Sequence, residues 1–183
     1  MNARKHFYYD EISSGYDELY SDEQQSKIKL ILENISVSES DRVLDLGGGT
    51  GLLSDFVSAD IVNLEPSKKM LDVGVSKNRS FTPVCGFAED IGSLFKDGEF
   101  DFVFCLSSVH HFFDVEEVFS SINKVLKKDS IVVISFLKRA DSTPVLIEKS
   151  KSFFSFFKLV EDDKDFILFF KNNVPMPSHL GSG

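Results

Sequence analysis

Three observations predict an α/β fold built on a central, mostly parallel sheet. Short runs rich in Val, Ile, Leu and Phe recur at 42–46, 61–65, 100–106 and 131–137, most of them separated by segments of helical periodicity. These runs do not alternate apolar with polar residues, which suits strands covered on both faces. The first run enters VLDLGGGTG, residues 43–51, so Gly47, Gly48, Gly49 and Gly51 lie just past the carboxyl end of a strand, where open α/β sheets hold their ligands.

Ile28, Ile31, Leu32 and Ile35 recur at helical spacing, so the chain before the first strand reads as helical, with lead helices over about 8–36. Leu52–Ser58 reads as the helix after the first strand, and Ser67–Gly74 as the helix after the second, with Met70 and Leu71 inward. The run 82–86 is a weak third strand, and 100–106, FDFVFCL, is the fourth. Val118, Phe119, Ile122, Val125 and Leu126 fall on one face of a helix over 115–126. A fifth strand at 131–137 is followed by room for one short helix. Phe153–Val160 and Asp165–Lys171, separated by acidic residues, then read as an antiparallel hairpin. One domain over 1–171, with its core at 42–171, is expected to end in a flexible Pro- and Gly-rich tail, 172–183.

The 183 residues carry 42% apolar and 27% charged side chains, a globular composition, with 19 Phe and no Trp. A formal charge of −9 argues against a nucleic-acid backbone as partner, and Lys124, Lys127, Lys128, Lys138 and Arg139 read as solvated positions. The expected location is cytoplasmic, because no run resembles a secretory leader or a membrane span. Cys85 and Cys105 lie in apolar runs without metal-type spacing, which predicts two buried free thiols and no metal site.

The glycines admit several ligands. No Lys-Ser/Thr follows at the spacing of a nucleoside-triphosphate loop. The GxGxxG of a dinucleotide fold fails, because its third position is Leu52, or Ser54 in the shifted frame. What fits is Asp45-x-Gly47-x-Gly49-x-Gly51, which resembles motif I of the class I S-adenosylmethionine-dependent methyltransferases. That resemblance implies a Rossmann-like seven-stranded sheet with helices on both faces. In it the glycines let the methionyl and ribose parts of S-adenosyl-L-methionine lie against backbone, while Asp45 organises the loop or meets the ammonium group.

Later motifs follow in the same order and resemble the type-11 group of ubiquinone and menaquinone biosynthesis. Glu65 ends the second strand as an acceptor for the ribose hydroxyls. In EPSKKM, Pro66 follows it and Met70 would lie under the adenine. In GFAED, Ala88 would offer its backbone N–H and Glu89 its carboxylate to the adenine edge, and Phe87 departs from the usual Asp. Leu106 and Ser107, in LSSVHHF, would flank the donor through backbone contacts. KVLKKDSIVVIS resembles the entry to strand five, with Lys128-Asp129-Ser130 in place of Pro-Gly-Gly. YYDEISSGYDELY resembles a lead helix that covers the donor, with Tyr8, Tyr16 and Tyr20 as candidates and Tyr16 foremost.

The resemblance implies methyl transfer from S-adenosyl-L-methionine, leaving S-adenosyl-L-homocysteine, to a small molecule or to an acceptor presented by a partner. His110 and His111 are the candidate general bases. The Asn/Asp-Pro-Pro-Tyr/Phe sequence of amide- and adenine-N methylation is absent. No Pro precedes Cys105, against a cysteine nucleophile. The Phe-rich hairpin is a sheet edge or a surface for a homodimer or protein partner. The alternative function is a non-catalytic sensor or scaffold subunit that keeps the fold.

Overall fold

The computed structural model describes residues 16–172. Seven strands form one sheet in the order β3-β2-β1-β4-β5-β7-β6. They are β1 (Arg42–Leu46), β2 (Asp60–Glu65), β3 (Thr82–Cys85), β4 (Phe100–Cys105), β5 (Leu126–Leu137), β6 (Ser155–Glu161) and β7 (Asp165–Lys171). The first five are parallel, and β7 pairs antiparallel with both β5 and β6. The helices are α1 (Tyr16–Leu32), α2 (Lys68–Ser76), α3 (Ile91–Leu94), α4 (Val115–Val125) and α5 (Thr143–Phe153). Strand order reverses between β1 and β4, and the crevice at their carboxyl ends is where this architecture places a ligand.

Side-chain alternation divides the core in two. Leu44, Leu46, Val103, Val132, Ile134, Phe136 and Phe170 face α3, α4 and α5. Val43, Phe102, Phe104, Val133, Ile167 and Phe169 face the other way, toward Ile28 and Ile31 of α1. The amphipathic face predicted at 115–126 forms α4, whose N-terminus is capped by Asp114 accepting from Glu116 N and Glu117 N at 3.1 Å each. Phe119 of α4 is fully buried, edge-on to Phe153 and Phe154 with centroids at 5.8 and 5.3 Å. Phe119→Ala is expected to lower unfolding stability by about 3–5 kcal/mol in denaturant titrations.

Three expectations need correction, and one element has no predicted counterpart. The helix predicted at 52–58 is only a 3-10 turn, Leu52–Asp55, because Gly51 enters it at φ +72° and the chain must drop at once into β2. A 3-10 turn at Ala88–Asp90 leading into α3 has no predicted counterpart, since its two pieces are too short to display a period. β5 begins at Leu126, five residues early. Asp129 takes φ +63° and Ser130 Oγ donates to Lys127 O (2.6 Å), so KKDS becomes an irregular strand start instead of a turn. Cys105 is buried as expected, but Cys85 is exposed on the edge strand β3.

The hairpin is the far edge of the sheet. β7 is buried, whereas β6 exposes Phe156, Phe157 and Leu159. Lys151 lies over the Phe156 ring at 5.7 Å and Lys171 over that of Phe157 at 5.9 Å, so lysine stems shield both rings. Two of the basic residues read as solvated also form surface ion pairs, Lys127 with Asp101 (2.6 Å) and Lys138 with Glu161 (2.9 Å). Among the described residues no helix is long and apolar enough to cross a membrane.

Candidate functional site

The glycine loop is held open by its own backbone. Gly47, Gly49 and Gly51 have φ of +70°, +57° and +72°, a region that favours glycine. A Cβ on Gly47 would come within 2.5 Å of Ser108 Cβ, so this glycine also lets the loop touch the end of β4. At Gly48 a Cβ would strike the Asp45 carboxylate, and at Gly51 the Phe81 ring. Gly47 and Gly49 therefore line the cleft, whereas Gly48 and Gly51 allow the loop to lie down on what is beneath and behind it.

Beneath the loop, Asp45 and Asn63 are register partners on β1 and β2, both buried. Asn63 Nδ2 donates to Gly49 O at 3.1 Å. Burial, and after it the charge of Glu65, pushes the Asp45 carboxyl up to about 7. Glu65 is itself buried, and accepts from Gly49 N through Oε2 (3.1 Å) and from Ser67 N through Oε1 (2.8 Å). Both oxygens are thus oriented by backbone N–H groups, and a carboxylate oxygen can accept more than one hydrogen bond. Arg79, with 7% of its side chain exposed, clamps the loop from behind. It donates to Thr50 Oγ1 (2.6 Å) and Thr50 O (3.1 Å), and pairs with Asp55 (3.0 Å).

The remaining walls come from three connections. Pro66 and Met70 follow β2, and Ala88 and Glu89 follow β3. Glu89 Oε1 accepts from Phe113 N (2.6 Å) and Asp114 N (3.3 Å), which ties that turn to the start of α4. The Phe87 and Phe113 rings meet beside it, 5.7 Å apart. Leu106 and Ser107, after β4, complete the cleft. Ser107 has φ +59°, unusual for a residue with a Cβ. Its N–H donates to Ser135 Oγ (2.7 Å), and its hydroxyl accepts from Lys27 Nζ (2.7 Å).

The two histidines separate. His111 lines the cleft. His110 turns to α5: its Nε2 accepts from Leu137 N (3.0 Å) and its Nδ1 lies 3.1 Å from Ser142 Oγ, so both ring nitrogens are engaged in the fold and neither is placed to take a substrate proton. Cys105 is no nucleophile, since burial pushes its thiol up to about 12. Among the described residues no cluster of His, Cys, Asp and Glu has the arrangement of a metal site. The side chains of Tyr16 and Tyr20, and all of Tyr8, lie outside the described residues.

Residues 44–134 match the family described as Methyltransferase domain, type 11. This is a methyltransferase domain of the class I, type-11 group. An uncharacterized methyltransferase of Synechocystis sp. is 32% identical over 116 residues, covering 61% of this chain and 54% of that protein. The ubiquinone/menaquinone biosynthesis C-methyltransferase UbiE of Teredinibacter turnerae is 27% identical over 165 residues, covering 81% of this chain and 65% of the relative. In fold, the methyltransferase domain superposes with a TM-score of 0.76, at 15% identity, on a chain described as a methyltransferase in a complex with the Haloferax volcanii Trm112 methyltransferase activator. That superposition covers 90% of this chain and 97% of the other. Two further neighbours of the same fold, at 14% and 15% identity, are described as S-adenosylmethionine-dependent methyltransferases. The chain spans about half the length of several curated relatives it matches, 49%, 54% and 48% of three of them.

Lys27 and Arg79 are the site residues that sequence reading misses. Neither lies in a motif, and a lysine on a polar-looking helix gives no sign that it will be buried.

Proposed function

We propose that the chain binds S-adenosyl-L-methionine in this cleft and transfers its methyl group to an acceptor. The observation that carries the reading is Glu65. A carboxylate whose two oxygens are fixed by Gly49 N and Ser67 N at the end of β2 is a ready acceptor for a vicinal diol. The residues around it fit the rest of the donor. Gly47 and Gly49 leave bare backbone for close approach, and Met70 and Ala88 offer apolar contact to a base, while Asp45 lies buried beneath the loop. When bound, S-adenosylmethionine supplies an electrophilic methyl group on a sulfonium centre. The chain's contribution is alignment of donor and acceptor and exclusion of water. His111, on the cleft wall, is the residue we assign to any proton removal from the acceptor.

A small-molecule acceptor, or one presented by a protein partner, suits the short connection between β5 and β6, which holds only α5. The UbiE relative, named for ubiquinone/menaquinone biosynthesis, favours the small-molecule route. The scaffold reading is the less favoured, because Gly47, Gly49 and Glu65 keep a cleft suited to the donor, and a donor-binding sensor is separated from an enzyme by the labelling experiment below.

S-adenosylhomocysteine at a hundred times its Kd is expected to stabilise the chain by about 2.7 kcal/mol. For a chain of this size that raises Tm by roughly 5–10 °C. NAD and ATP are expected to give no shift. Absence of a shift with millimolar S-adenosylhomocysteine defeats the donor assignment. Methyl-labelled donor incubated with fractionated extract then separates enzyme from sensor, since a sensor labels no fraction.

A further inference from the structure

The cleft has a support that the donor motifs leave out. Lys27, on α1, is completely buried, as is Asp165 at the start of β7, and Lys27 Nζ lies 2.6 Å from Asp165 Oδ2. The approach is not that of a well-directed hydrogen bond, so the attraction is chiefly between charges. The directed hydrogen bond from Lys27 goes elsewhere, to Ser107 Oγ at 2.7 Å. Strand alternation brings these groups together. Ser135 and Asp165 lie on the α1 face of β5 and β7, with Ile167 and Val133 of that face between and beside them. A buried ion pair is a poor source of stability, because desolvation consumes most of the attraction between its members. This pair is joined to a residue of the donor cleft that holds φ +59° without being glycine.

We propose that Lys27 is a positioning residue for the methyl donor. Anchored by Asp165, it holds Ser107 in the left-handed conformation that shapes the cleft wall, so that seating of α1 and shaping of the donor site are one event. Ser107 commits its N–H to Ser135 and its hydroxyl to Lys27, and what it presents to the cleft is therefore set by backbone conformation alone. Without the tether, a side-chain-bearing residue leaves the left-handed region.

This inference rests on the donor reading above, and the test separates the two. S-adenosylhomocysteine affinity is measured by calorimetry on the full chain. Ser107→Ala keeps the Lys27–Asp165 pair and removes only the tether, and is expected to bind about tenfold more weakly than the parent, the size of a left-handed penalty for an L-residue. Ser107→Gly also lacks the tether but tolerates positive φ, and is expected to bind several-fold tighter than the alanine variant. The pair Lys27→Met with Asp165→Asn is expected to lose as much affinity as Ser107→Ala, and adding Ser107→Gly to recover most of it. Should the charge-free pair fail to fold, the alanine and glycine variants decide alone. If the parent fails to bind, both readings fall. If the parent binds and alanine matches it, or glycine is no better than alanine, only the positioning role is overturned, and Lys27 is an ordinary core ion pair.

Discussion

Replacing Glu65 by alanine is expected to weaken S-adenosylhomocysteine binding by roughly two to four orders of magnitude. Two hydroxyl donors to one carboxylate are charge-assisted bonds of about 1.5–3 kcal/mol each, and the variant makes neither. The same change removes the acceptor of Gly49 N and Ser67 N inside a buried site, so the loop itself loosens and unfolding stability falls by about 1–3 kcal/mol. Glu65→Gln is not a mild substitute. Its amide has one acceptor oxygen and one donor nitrogen, and the nitrogen must face one of the two backbone N–H groups, donor against donor. Gln is therefore expected to lose affinity by a factor close to that of Ala. Calorimetric titration of both variants, alongside their melting temperatures, checks this. An alanine variant binding within threefold of the parent defeats the role given to Glu65.

Glu65 was legible from sequence because two local signals coincide on it: the end of an apolar strand and a fixed distance from a glycine loop. The central strands followed for a similar reason, since apolar runs such as FVFC and IVVI have no stable place except inside a sheet covered on both faces. What stayed hidden was decided by groups distant in the chain. Lys27 meets Ser107 eighty residues away, and Arg79 meets Thr50 twenty-nine away. Nothing beside either residue announces its partner. His110 and His111 looked equivalent because they are adjacent, and only the turn at 109–111 sends one to α5 and the other to the cleft. Cys85 was misjudged because β3 is an edge strand. Thr82 and Pro83 of the same strand are exposed too, and edge position is a property of the sheet and not of the segment.

Asp45 is expected to make the free protein less stable as pH rises from about 4 to about 7, the reverse of ordinary acid denaturation. An unfolded chain releases this proton near 3.8, while the folded protein keeps it to about 7 because burial and the charge of Glu65 oppose ionisation. Between those values the folded state binds one proton more than the unfolded state, so unfolding free energy declines with pH. The contribution is whole below 3.8 and gone above about 7. A three-unit difference corresponds to about 4 kcal/mol at most. Asp45→Asn carries no such charge. Asn63 Oδ1, which has no hydrogen-bond donor among the described residues, lies near the same point over Gly48 and is the expected acceptor for the new amide. The variant should therefore be more stable than the parent at pH 8, and its stability should be flat across this window. Binding should run the other way. If Asp45 meets the ammonium group of the donor, that cation favours the ionised carboxylate, binding expels a proton, and parent affinity for S-adenosylhomocysteine rises with pH through 7 while the Asn variant binds weakly at every pH. That pair of opposite pH responses is what a carboxylate serving a ligand, and not the fold, is expected to give. Chemical denaturation and calorimetry across pH 4–8 measure both limbs. A flat parent profile, with an Asn variant less stable at pH 8, would remove Asp45 from this role.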